Sequence, residues 1–226
     1  MKPRPLQLPP LHIQAQTTGT LAGMGLSEEL LAEAVRFAYL ERERCSGNDV
    51  NAAGGNAAWG KPLRFLRDKL LQEGWHRGGQ PDLESVISPD RSFRICSAAG
   101  NWATGDINAM PATAGLKGRL TLDAICDNGQ MTLDLVGGSG RSVPQMQTRF
   151  LLHYLDEANE HIRPELSVPT HMTIAPNAKK GRIDEFKHRL ILKPIEFETE
   201  TEIEDQHEEE FSDDLDISIP RRASSE

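Results

Sequence analysis

The chain is short of the residues that build disulfide frameworks and most metal centres. Its three cysteines, Cys45, Cys96 and Cys126, form no CxxC pair. They are too few for a disulfide scaffold or a four-cysteine zinc site, and they point to a reducing, cytoplasmic setting. There is no apolar run of the roughly 18 residues that a bilayer-spanning helix needs, so no membrane partner is expected. Residues 1–10 carry charge and four prolines but no apolar stretch of the secretory kind. What is present suits a folded protein. Apolar residues make up 38% of the 226, and with 19 glycines the total is ordinary for a packed core.

Charge is unevenly spread. The net charge is −9, yet residues 196–226 hold thirteen acidic and two basic side chains, a net of −11. The remaining 195 residues are therefore close to neutral, at +2. A segment rich in Glu, Asp and Ser with few apolar residues cannot offset its ordering entropy, so a disordered acidic tail is expected. Phe211, Leu215, Ile217 and Ile219 are spaced among the acids. Alternating acid and apolar residues suit a docking motif for a basic, grooved partner, or a polyanion mimic that covers a basic face of the same chain.

Ahead of the tail, the periodicities point to an α+β domain over residues 26–195, preceded by an irregular arm, 1–25. Ser27 caps a helix whose apolar face is Leu30, Leu31, Ala34, Val35 and Ala38, ending near Glu43. A glycine-rich loop over 51–60 leads to a second helix starting at Lys61-Pro62, with Leu63, Leu66 and Leu70 inward and Gly74 as its stop. The period then becomes two. Ser85–Ser88 and Ser92–Cys96 flank the turn Pro89-Asp90-Arg91 and read as a β-hairpin. Residues 97–118 read as loop. The segment 119–136, around Asn128-Gly129, favours a second hairpin, with a short helix as the alternative. A subdomain break is expected at 137–142, followed by a meander of Thr148–Tyr154, His161–Val168 and Arg189–Leu192, with Pro164 placing its strand on an edge.

Few chemistries are complete. Gly100-Asn-Trp-Ala-Thr-Gly105 has the glycine spacing of a phosphate loop, but Asp106 stands where that loop needs lysine. His153 and His161 flank the acidic turn 156–160 without a metal-ligand spacing. Cys96 and His153 allow a Cys/His pairing that nothing else in the sequence supports. A magnesium-dependent nuclease would draw on Asp90, Glu185 and Lys187, although Glu185 reads as part of a polar loop or short helix. Polyanion contact is better represented. The second helix carries Lys61, Arg64, Arg67 and Lys69, Arg77 follows it, Trp59 and Trp75 bracket it, and Lys179, Lys180 and Arg182 form a second basic cluster.

Several phrases resemble those of bacterial proteins carried on plasmids, phages and integrated elements. They are Gly60-Lys-Pro-Leu-Arg-Phe-Leu-Arg-Asp68, Gly74-Trp75, Ser88-Pro89-Asp90, Gly115-Leu-Lys-Gly118, Arg182-Ile-Asp184 and Arg189-Leu-Ile-Leu192. The resemblance spans about residues 50–195. It implies a bacterial cytosolic protein of mobile-element ancestry, and it carries no catalytic residues. The expectation is a non-enzymatic accessory protein with protein partners, associated with nucleic acid and needing no cofactor. The alternative is a magnesium-dependent nuclease or other hydrolase of nucleic acid.

Overall fold

Ser27 opens the clearest helix, α2 (Glu28–Glu43), where its hydroxyl accepts the Leu30 N–H at 3.0 Å. Leu31, Ala34, Val35, Ala38 and Tyr39 are buried along one face, as the 3.6-residue period requires. This computed structural model describes residues 10–80, 83–133 and 146–196. The expected break at 137–142 and the acidic tail beyond Glu196 lie outside the described residues.

Two helical segments differ from the sequence reading. Residues 11–23 form helix α1 (Leu11–Gly23) rather than an irregular arm. Pro10 stands just before its first turn, where proline is tolerated. The hydroxyls of Thr18 and Thr20 bond back to the Gln14 and Gln16 carbonyls, so they do not compete for backbone elsewhere. Leu21 is fully buried, which places α1 in the core and starts the folded body well before residue 26. Helix α3 (Ala53–Leu70) begins eight residues ahead of Lys61, because Ala57 and Ala58 of the supposed loop are buried. Pro62 therefore lies inside α3, and it has no N–H to offer the Ala58 carbonyl. A short 3₁₀ turn, Leu71–Glu73, ends at Gly74, whose φ of 86° is the left-handed stop expected of it.

The strands form one sheet. They are β1 (His76–Gln80), β2 (Leu83–Ile87), β3 (Phe93–Ala99), β4 (Gln147–Asp156), β5 (His161–Ile174), β6 (Gly181–Ile191) and β7 (Ile195–Glu196). They lie in the order β1-β2-β3-β4-β5-β6, with β7 paired to β5. The β2–β3 hairpin closes as expected through the Ser88 N–H donating to Phe93 O at 3.0 Å. The sheet is mixed rather than antiparallel throughout, since β3 and β4 run parallel with Phe93 opposite Gln147. A parallel pair needs a crossover, and helix α4 (Arg119–Leu133) lies within it. Residues 119–133 are thus helix and not the favoured hairpin. The Asn128-Gly129 turn signal is overridden by what the Asn128 side chain does. Its amide donates to Thr148 O and Pro169 O at 3.0 and 3.2 Å and accepts the Thr148 N–H at 2.8 Å. It thereby serves the backbone groups left where β4 and β5 part after Phe150 and Ser167.

Pro164 is not on an edge, because β5 is flanked by β4 on one side and by β6 and β7 on the other. Its carbonyl accepts from Leu192 N at 3.1 Å, away from β4. Its missing N–H therefore falls on that same side and costs the β4–β5 ladder nothing.

The sheet has two covered faces. On one, Leu21, Leu31, Val35, Leu66 and Leu70 of α1–α3 pack on Val86, Ile95, Leu151, Ile162 and Leu166. On the other, Ala124 and Ile125 of α4 pack on Cys96, Ala98, Phe150, Leu152, Ile183 and Phe186. The α+β class is as expected. The loop 100–118 then does more than connect. Ala114 N donates to Ala99 O of β3, while Thr113 N donates to Ile183 O, and Lys117 and Gly181 of β6 exchange two backbone bonds. One segment thus bonds to both β3 and β6, and it curls β3-β4-β5-β6 into a small closed barrel around the second core.

Candidate functional site

The basic residues of α3 divide into those engaged inside the fold and those facing solvent. Lys61 is ion-paired with Glu41 of α2. Arg67 reaches from α3 to the sheet, donating to Glu84 at 2.5 Å, Gly78 O at 2.7 Å and Ser85 O at 2.8 Å. These two side chains tie helix to helix and helix to sheet, and they do not present a basic face to solvent. Arg64 is exposed but sits 3.8 Å from Asp68. Lys69 is exposed over the Phe65 ring, and Arg77 is exposed on β1. Trp75 is buried against Phe93, and Trp59 is partly exposed.

The second cluster is arranged differently. β5 runs past the start of β4 and turns into β6, so residues 170–182 extend beyond the neighbouring strand. At this tip Lys179 and Lys180 are exposed and make no ion pair with a described residue. Arg182 is exposed and donates to Ala114 O at 3.1 Å, which fixes the tip to the barrel-closing segment. Leu116 and Ile174 add exposed apolar surface at the same place. Glycine is required at 181, since a Cβ there would lie 2.5 Å from Thr173 O.

The residues considered for catalysis are not brought together. Asp90 belongs to the β2–β3 turn, where it accepts from the Ser88 and Ser92 hydroxyls and the Ser92 N–H. Those bonds, the one from Ser88 foremost, hold its carboxyl below the usual range. Glu185 lies in strand β6 rather than in a loop or short helix, opposite His171 and exposed. Lys187 is opposite Val168, and the strands β4 and β5 separate both from β3. Among the described residues, no three His, Cys, Asp or Glu side chains converge as a metal site would require.

The Cys96–His153 pairing fails for a simple reason, because the two side chains sit on opposite faces of the sheet. Cys96 packs in the barrel core, where burial pushes its thiol up to about 12. His153 is buried under α2 and α3, its ring edge-on to Tyr39, with Nδ1 3.2 Å from the phenol oxygen. His161 bonds instead to Asn159 O, so the two imidazoles that flank the acidic turn do not share a site. Gly100–Gly105 forms the corner after β3. Gly105 has φ 74°, and a Cβ there would meet Arg163 Cβ at 2.9 Å, so the glycine serves close packing and not a phosphate.

Two buried polar groups carry no strong sequence signal. Glu165 of β5 is fully buried and accepts from Arg189 Nε and Nη2 at 3.1 and 2.6 Å, Ser167 Oγ at 2.7 Å and Gly105 N at 2.8 Å. Arg189 also donates to Asp106 O and Ala109 O, so this pair clamps the loop 100–118 onto the barrel. The Ser167 hydroxyl two residues along the same strand is the only local hint. His153 is the second group, at the base of a cleft of about 500 Å³ with Tyr39, Arg42, Gly100 and Asp156. Burial lowers it to about 4, partly offset by the Ala58 backbone that Pro62 leaves without an intrahelical donor. The imidazole is therefore neutral, with Nδ1 hydrogen-bonded to the Tyr39 hydroxyl. This bond joins α2 to β4. No family model matches the chain, and no curated protein or solved structure matches it either.

Proposed function

We propose that the protein is a non-enzymatic accessory protein of a bacterial mobile element that contacts nucleic acid through the tip of the β5–β6 hairpin. The observation that carries this reading is the contrast between the two basic clusters. Lys61 and Arg67 at the centre of the α3 cluster are committed to internal ion pairs, whereas Lys179 and Lys180 sit together at a projecting tip with no acidic partner among the described residues. A projecting hairpin places such cations against a phosphate backbone with little reorganisation. The exposed Leu116 and Ile174 beside them supply apolar surface for a sugar edge or an unstacked base. A protein partner for the complex, and a cytoplasmic setting in which Cys45, Cys96 and Cys126 stay free, belong to the same proposal.

The test is a salt titration of binding to a labelled single strand and a labelled duplex. Replacing Lys179, Lys180 and Arg182 with alanine removes up to three cations that neutralise phosphates. The slope of log affinity against log salt then falls by about 0.7 to 0.9 for each phosphate no longer neutralised. An unchanged slope, or binding abolished instead on changing Arg64, Lys69 and Arg77, overturns the assignment to the tip.

A further inference from the structure

The outer edge of β1 is unpaired among the described residues. Strand β1 closes one end of the sheet order and pairs only with β2, through five consecutive positions from His76–Ile87 to Gln80–Leu83 without a bulge. Natural sheets usually protect such an edge with a bulge, a proline or a covering element, and β1 shows none of these over residues 76–80. Arg77 and Gly79 are exposed along this strand, while Gly78 is buried with its carbonyl bonded to Arg67.

The chain itself contains a segment of matching form. Asp214-Leu-Asp-Ile-Ser-Ile219 alternates polar and apolar residues with the period of two that a strand requires, and Pro220 ends it. We propose that this segment of the chain's own tail adds to the sheet as a strand on the outer edge of β1. Main-chain bonds supply most of the affinity in such strand addition, and alternate side chains set its register. With the apolar residues Leu215, Ile217 and Ile219 on one face, Asp214 and Asp216 share the other. Arg77 lies opposite Val86 on the α3 side of the sheet, and neither it nor Lys69 makes an ion pair with a described residue. The aspartates meet these cations when they occupy that side.

Chain length permits the contact. The last described residue, Glu196, pairs with His161 of β5. From β7 across β5, β4, β3, β2 and β1 to the outer edge of β1 is six strand spacings, about 30 Å. The seventeen residues 197–213 extend to about 55 Å, so the tether spans the sheet with slack to spare. Attachment to the same chain also gives the segment an effective concentration in the millimolar range, which a six-residue strand needs.

Amide hydrogen exchange of the full-length protein tests the proposal, with the β1 peptide as readout and no nucleic acid present. Its outcome is therefore independent of the hairpin tip. Ile217→Pro removes a backbone donor from the middle of the added strand while leaving the tail's charge unchanged, and it is 21 residues beyond the last described residue. Exchange of the outward-facing β1 amides is expected to rise at least tenfold in Ile217→Pro, and to stay at the wild-type rate in Ile203→Pro, which lies outside the alternating run. Asp214→Asn with Asp216→Asn raises it by a smaller factor, one that disappears at high salt. Equal β1 exchange in the wild type and Ile217→Pro overturns the proposal. Protection that rises with protein concentration also overturns it and makes a second copy the occupant of the edge.

Discussion

Acid should destabilise this fold through one histidine before its carboxylates begin to matter. His153 has an ordinary value of 6.5 and is lowered to about 4 by burial, with Lys117 and Arg42 acting in the same direction. The folded state therefore favours the neutral ring. As pH falls through 6.5 the unfolded chain takes up the proton first, and stability declines progressively until the folded ring also titrates near 4. The whole difference is about 3 kcal/mol, and about 2 kcal/mol of it has gone by pH 5. Above pH 7.5 the contribution is constant. The assay is urea unfolding at pH 7.5 and pH 5, compared with His153→Gln, which keeps a hydrogen-bonding group for the Tyr39 hydroxyl but does not titrate. At a slope of about 2 kcal/mol per molar urea, the wild-type midpoint falls by about 1 M more than that of the variant. Glu41, Asp90 and Asp184 have lowered values, and their contributions disappear at lower pH in both proteins alike. Parallel pH dependences in the two proteins would refute the reasoning. So would an NMR titration of His153 with a midpoint near 6.5.

Two further outcomes follow from groups buried on the barrel side. Glu165→Ala leaves the Arg189 guanidinium without its carboxylate and releases the 100–118 clamp, so unfolding measurements should show a loss of about 3 to 5 kcal/mol, and a loss below about 1 kcal/mol would show that the pair is not clamping the loop. Alkylation of the native protein at pH 8, followed by peptide mapping, should modify exposed Cys126 and leave Cys96 intact, whereas labelling of both at similar rates would contradict the burial that raises the Cys96 thiol.

Local pattern was a good guide wherever one face alone met the core. Helix α2 shows its cap, its acidic first turn and its apolar stripe in the sequence, and the β2–β3 hairpin shows its turn. Pattern failed where distant groups decided the outcome. Asn128-Gly129 is a strong turn signal, yet Asn128 is held in a helix by the backbone of Thr148 and Pro169. Gly54, Gly55 and Asn56 look like a loop, but Ala57 and Ala58 draw them into α3 by burial. The same division applies to the candidate site. Lys179 and Lys180 were legible as a basic cluster because no described residue ion-pairs with them. The roles of Lys61 and Arg67 were not legible, since their partners Glu41 and Glu84 lie 20 and 17 residues away in sequence.

The segment that closes the barrel also sets an order of events. It leaves β3 early in the chain, but its anchors come much later. Thr113 bonds to Ile183 across 70 residues, Gly105 to Glu165 across 60, and Asp106 to Arg189 across 83. While the chain is being synthesised, residues 100–118 have no partner on the β6 side until the strand holding Ile183 and Arg189 has emerged. Loop closure over such separations is slow relative to helix formation, so α2 and α3 can pair long before the ring shuts. Until then Cys96, Phe150 and Leu152 have α4 for cover but lack Ile183 and Phe186 of β6. A ribosome-bound chain that has not reached β6 therefore holds this second core only half assembled, and the arrival of that strand completes it.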